Sequence, residues 1–227
     1  MDSGSPVPGQ LYDARRGVYY AKPVLRGWLH LLCFGVSIAG GVLLVTRADG
    51  ARAVVAVTVY SVSLSGLFGT SAVYHRGSWT DAWRRRLRLL DQAMIFFLIA
   101  GTATPAFLLA APSGLGLACL IVMWGLTLAV AALRVAWPGA PEAVSGALFI
   151  GLGCAASLGV PWVWLRADPA AGLLLLAGGV LYIIGAVSYH LRRPDPYPSV
   201  FGYHEVFHVY VAAAAVCQYA AIARLAG

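Results

Sequence analysis

The sequence predicts an all-α integral membrane protein, a bundle of seven transmembrane helices. Two observations lead there. Hydrophobic residues make up 60% of the 227-residue chain and charged residues only 11%, with a mean hydropathy of +0.77; soluble domains usually carry about 25% charged residues. The apolar residues also collect into seven windows, each close to the ~20 residues a helix needs to cross hydrocarbon. A water-soluble fold of this length could not hide so much apolar surface.

The elements follow in order. Residues 1–24 form a short tail rich in Pro, Gly, Asp, Tyr and Arg. It lacks the apolar run of a cleaved signal, so the first span is expected to direct insertion itself. Residues 25–227 form the seven-span domain. Its spans are expected at Leu25–Thr46, Ala53–His75, Leu89–Ala111, Leu115–Ala136, Val144–Leu165, Gly172–His190 and Phe201–Ala223. The breaks carry turn chemistry: Arg47-Ala48-Asp49-Gly50, Ala111-Pro112-Ser113-Gly114, Trp137-Pro138-Gly139-Ala140-Pro141, Arg166-Ala167-Asp168-Pro169 and Arg192-Arg193-Pro194. Pro105 and Pro161 should kink their spans. Small-residue stripes at Ser61/Ser65/Gly69 and at Ala147/Gly151/Ala155 should admit close helix neighbours. In the loop after the second span, Thr80 can cap a short helix with Trp83, Leu87 and Leu90 on one side, lying in the head-group plane. The four cysteines sit inside apolar runs without CxxC spacing and read as packing residues.

Orientation follows from the sixteen Lys and Arg. One side collects Arg15, Arg16, Lys22 and Arg26 in the tail, Arg76, Arg84, Arg85, Arg86 and Arg88 after the second span, then Arg134, Arg192 and Arg193. The other side has only Arg47, Arg52, Arg166 and Arg224. The positive-inside rule places the first side, and the N-terminus, in the cytoplasm, with the C-terminus outside. Because these basic residues lie between apolar runs, the net charge of +7 reads as topology signal and lipid head-group contact. No nucleic-acid partner is expected.

On this topology all five histidines fall on the cytoplasmic side. His75 ends the second span, with Ser71 one turn before it on the same face, and His204 and His208 share a face in the first turns of the seventh. Asp91 begins the third span. Polar side chains inside a membrane are costly and tend to mark function. Three imidazoles suit zinc and leave one coordination position open. Zinc lowers the pKa of a bound water toward about 7. Asp91 could take that proton as general base, and the Ser71 hydroxyl could donate to the water or to a developing oxyanion. Taken singly, Ser71 reads as bonding back to its own helix, while His30 and His190 read as interfacial. His204-Glu205-Val206-Phe207-His208 also spells the metalloprotease motif, with Glu205 as base. However, no third His, Asp or Glu follows His208, and Glu205 lies about 100° round the helix from His204.

Ser71-x3-His75, Asp91 and His204-x3-His208 on this frame resemble the hemolysin III family, within the progestin and adiponectin receptor superfamily. The similarity extends over roughly residues 22–226, including Leu25-Arg26-Gly27-Trp28-Leu29-His30. The resemblance implies zinc held by His75, His204 and His208, Asp91 positioning a metal-bound water, and Ser71 beside it. It also implies kinship with membrane hydrolases of lipid amides, such as alkaline ceramidases. The leading expectation is therefore a zinc-dependent hydrolase acting on a membrane lipid amide or ester in the bacterial cytoplasmic membrane. With so little chain outside the bilayer, no soluble protein partner is expected. The competing expectation is a non-enzymatic sensor or regulator with a structural zinc.

Overall fold

The computed structural model describes residues 10–13 and 18–227. Among these described residues, seven helices are long and apolar enough to cross a membrane. They begin with α1 (Trp28–Arg47), α2 (Gly50–Arg76) and α3 (Asp81–Pro105), the last continued by a π-helical turn at Ala106–Ala110. Next comes α4 (Ser113–Ala136). The fifth span is broken into α5 (Glu142–Ser157), a short α6 (Val160–Trp162) and a second π turn at Val163–Ala167. α7 (Pro169–Leu191) and α8 (Tyr203–Ala226) complete the bundle. The chain is an integral, multi-pass membrane protein. Its valines, leucines and isoleucines lie exposed along α1, α4 and α7, among them Val36, Ile121 and Ile183. Hydrocarbon tolerates that surface and water does not.

Three sequence expectations change on contact with the structure. The third span starts at Asp81, well before Leu89, so the expected head-group helix is the continuous beginning of α3. Thr80 does cap it, accepting from the Trp83 amide. The reason is local: Asp81 through Leu90 contain no helix breaker, so helix propagates straight through the arginines. The small stripe of α5 meets neighbours only in part: nothing lies within 4 Å of a side chain placed at Gly151, whereas Ala155 packs against the cluster around Phe96 and Phe107. The stripe of α2 does what was expected of it. Ser61 fits against Gly41, Ser65 bonds Ser37 at 2.9 Å, and Gly69 lies under Phe34 of α1. Finally, the tail forms a small antiparallel hairpin, β1 (Gln10–Asp13) paired with β2 (Val18–Ala21), from residues of strong β preference such as Tyr19 and Tyr20. The rest of the 1–24 tail, including Arg15 and Arg16, lies outside the described residues.

Both prolines mark a change in helix type. Pro105 and Pro161 each precede a π turn, where the helix absorbs the missing amide hydrogen and the ring's clash with the preceding turn. Among the described residues all four cysteines are free.

The core places α8 against α1, α2, α3 and α7. Val57, Tyr60, Leu64 and Phe68 of α2 interlock there with Leu98 of α3 and with Val211, Ala215 and Ile222 of α8. Of the second, third and seventh spans, 50%, 56% and 39% is buried, against 17% for the fourth and fifth. All five sequence-selected site residues lie on those three interior helices. α1 and α8 are tied at both ends: Val24 and Leu25 donate backbone bonds to Ser199 and Val200 at one, and Asp49 to Ala226 at the other.

That second end, opposite the histidines, is held by Asp168. Its carboxylate caps α7 through the amides of Ala170 and Ala171 and pairs with Arg224 of α8 at 2.7 Å. The hydrogen bond from Arg224, aided by the two capping amides, holds the Asp168 carboxyl below its usual range. A carboxylate depressed in the folded state stabilises it above the unfolded pKa of about 3.9, and that contribution disappears as pH falls through the folded value. Arg224→Gln should therefore lower the unfolding midpoint in detergent at neutral pH. The gap to the native protein should close as pH drops below about 4; a gap that survives at pH 2 would show that Arg224 acts in some other way.

Candidate metal centre

All five histidines lie at the end of the bundle away from Asp168, and four of them cluster there: His30, His75, His204 and His208. His75 arrives on the last turn of α2, while His204 and His208 arrive on the first two turns of α8, one helical turn apart on the same face. One ring nitrogen from each lies within 4.8 Å of the other two. The Nε2 atoms of His75 and His204 stand 3.2 Å apart. Nitrogens held by a tetrahedral zinc at about 2.0–2.1 Å lie about 3.3 Å from one another, so the spacing fits such an ion. His208 is buried, and its Nδ1 has no hydrogen-bond partner among the described residues. Unshared buried imidazole nitrogens are costly unless something engages them.

Asp91 presents its Oδ2 3.7 Å from His75 Nε2, beyond hydrogen-bond range yet beside the cluster. The next residue, Gln92, turns to α4 and accepts from Arg134 at 3.0 Å, so only the carboxylate faces the histidines. Ser71 does not bond back to its own helix. Its hydroxyl meets His30 Nδ1 at 2.8 Å. The other span hydroxyls at Thr58, Ser63, Thr104, Thr127 and Ser157 all return to a carbonyl four residues earlier, the usual outlet for Ser and Thr in a helix.

Two participants go beyond the sequence reading. His30, read there as interfacial, is buried, with its ring parallel to that of His208: centroids 3.7 Å apart, planes 16° apart. The clustering of all five histidines on one side was the available signal for it. His190, by contrast, lies exposed at the end of α7, consistent with its interfacial reading. The second participant is an ion pair. Arg26, just before α1, donates to Glu205 Oε1 in a buried contact, and Glu205 Oε2 accepts the Gly202 amide at 2.9 Å, capping α8. Both carboxylate oxygens of Glu205 are thus engaged structurally, which leaves it unsuited to be the base of a protease motif. Gly27 makes the approach possible. It has φ +80°, and a Cβ there would lie 2.9 Å from the His75 Cβ, so any larger residue would be strained and would push on His75.

The rim is basic. Burial, followed by the positive charges of Arg26, Arg84 and Arg76, lowers the pKa of Lys22, and the Arg76 guanidinium lies 3.5 Å over the Trp28 ring.

Fold and site together define a seven-span membrane protein with a histidine cluster buried at one end of its interior helices. Residues 18–219 match the model of the Haemolysin-III related family, and the chain belongs to that family. It is 28% identical over 179 residues to Hemolysin-3 of Bacillus cereus, covering 78% of each chain. With the Hemolysin-3 homolog of Bacillus subtilis (strain 168) it is 25% identical over 158 residues, covering 70% of this chain and 71% of the relative.

Breaking a buried ion pair on one side strands the other charge, at a cost of about 3–5 kcal/mol, whereas replacing both partners by apolar groups costs far less. Glu205→Gln should therefore destabilise the protein strongly in denaturant titrations in detergent, and Arg26→Met/Glu205→Leu should recover much of the loss. A double variant no better than the single would mean that the Gly202 cap, rather than the ion pair, is the important contact.

Proposed function

We propose that the chain is a zinc-dependent hydrolase of a membrane lipid amide or ester, working at the cytoplasmic face of a bacterial inner membrane. One observation carries the reading: three imidazole nitrogens within 4.8 Å of one another on two interior helices, with a carboxylate alongside and a hydroxyl bonded to the ring that stacks on His208. His75, His204 and His208 would hold the ion. When bound, zinc supplies Lewis acidity, polarising a carbonyl and making a water more acidic. Asp91 is the group to take up the proton of the attacking water, and later to return one to the leaving amine or alkoxide. Ser71 orients that carboxylate through its own hydroxyl. Structural zinc sites are usually closed by four protein ligands. The three-histidine set, with Asp91 held 3.7 Å from His75 Nε2, favours an open, catalytic site over a structural one. A lipid substrate is favoured by the setting, since the spans around the site expose apolar side chains to the bilayer.

Two experiments test the reading. Elemental analysis of the purified protein should find one zinc per chain, lost from His204→Ala/His208→Ala. Asp91→Asn should keep most of that zinc yet cut lipid-amide hydrolysis by about 10²-fold or more, the usual scale for a general base. Zinc retained without turnover of any lipid amide or ester by the native protein would favour the sensor instead. For the orientation, reporter fusions at Gly227 and beside Arg85 should report opposite sides of the membrane, the latter cytoplasmic. Agreement between the two reporters would remove the cytoplasmic placement of the site.

A further inference from the structure

We propose that His30 is a positioning residue of the site, holding Ser71 and His208 in their working orientations through a hydrogen-bond relay of fixed polarity, His30 to Ser71 to Asp91. Three observations carry this. His30 Nδ1 lies 2.8 Å from Ser71 Oγ. The same ring lies flat against His208, 3.7 Å between centroids, with the edge of Phe68 at 5.1 Å on it. Ser71 forgoes the return to its own helix that Thr58, Ser63 and Thr104 make, and Asp91 stands beside the same cluster, 3.7 Å from His75 Nε2.

The polarity follows from a count of hydrogens. A serine hydroxyl has one proton to give, and an ionised carboxylate can only accept. If Ser71 serves Asp91, it donates there and must receive its other bond from His30. That requires the neutral tautomer of His30 with hydrogen on Nδ1. The opposite tautomer would take the serine proton and leave Ser71 with nothing to offer Asp91. His30 thus decides where the only mobile hydrogen of Ser71 points, and its stacked ring limits rotation of the His208 imidazole. The supports of metal-ligating groups commonly act in this way, and losing one typically costs about 10–100-fold in metal affinity or activity.

The relay itself does not depend on the hydrolase reading; only its effect on rate does. The test therefore has two arms. Nitrogen NMR of the metal-free protein, labelled at histidine side chains, should show His30 as the Nδ1–H tautomer, and Ser71→Ala should shift that resonance. A bare Nδ1 on His30 would overturn the proposal whatever the site catalyses. In the second arm, His30→Phe keeps the stacked ring without the donor, and His30→Asn restores an N–H near the Nδ1 position. With zinc content held equal, His30→Phe should lower kcat for a lipid amide about 10–100-fold with KM little changed, and His30→Asn should recover part of the loss. Equal rates for native protein and His30→Phe at full zinc would also overturn it. If the native protein turns over no lipid, the hydrolase reading fails, and the tautomer alone decides the relay.

Discussion

Everything at the histidine end depends on the buried contact between Arg26 and Glu205. It joins the approach to the first span to the first turn of the last, two points 179 residues apart in sequence. With the backbone bonds from Val24 and Leu25 to Ser199 and Val200, it fixes the start of α1 against the start of α8. His30 and His208 follow within a turn or so on their respective helices, and their rings stack because those helix starts are held together. The same carboxylate caps α8, so the orientation of His204 and His208 rests on it twice.

The wider constraint is the solvent. Hydrocarbon offers no hydrogen bonds, so each polar group in a span must find a partner inside the protein. Thr58, Ser63, Thr104, Thr127 and Ser157 solve this alone, by returning to a carbonyl of their own helix. The proline-bearing spans solve it with π turns after Pro105 and Pro161. Where α1, α2, α3 and α8 converge, ring nitrogens, a hydroxyl and a carboxylate are instead brought together across helices. That concentration separates the site from the many incidental polar residues of the bundle, and it follows from the burial of the same interior helices.

Much of this was legible in advance, for a physical reason. A span must be about 20 apolar residues long, so span number could be read by inspection, and a residue four positions on shares its face, so His204 with His208 and Ser71 with His75 could be paired before any coordinates. The stripe of α2 was legible, whereas of the similar stripe of α5 only Ala155 packs against a neighbour and Gly151 does not. Small residues permit a close neighbour without requiring one, and α5 sits at the periphery with Gly151 facing open space. The head-group helix was misjudged because amphipathic residues at a membrane surface and the projecting start of a long span share one pattern.

By itself, then, the sequence determined the class of fold, the number of spans and the set of residues able to meet as a metal site, because these depend on local periodicity and on the length scale of the bilayer. Only the tertiary structure decided which polar residues outside that set belong to it. His30 turned inward, Ser71 found a partner on another helix, and Glu205 became a clasp between Arg26 and the Gly202 amide. Each of these depends on the rotation of one helix about its axis relative to another. No single span encodes that rotation; it emerges when seven are packed together and the polar groups must be satisfied at once.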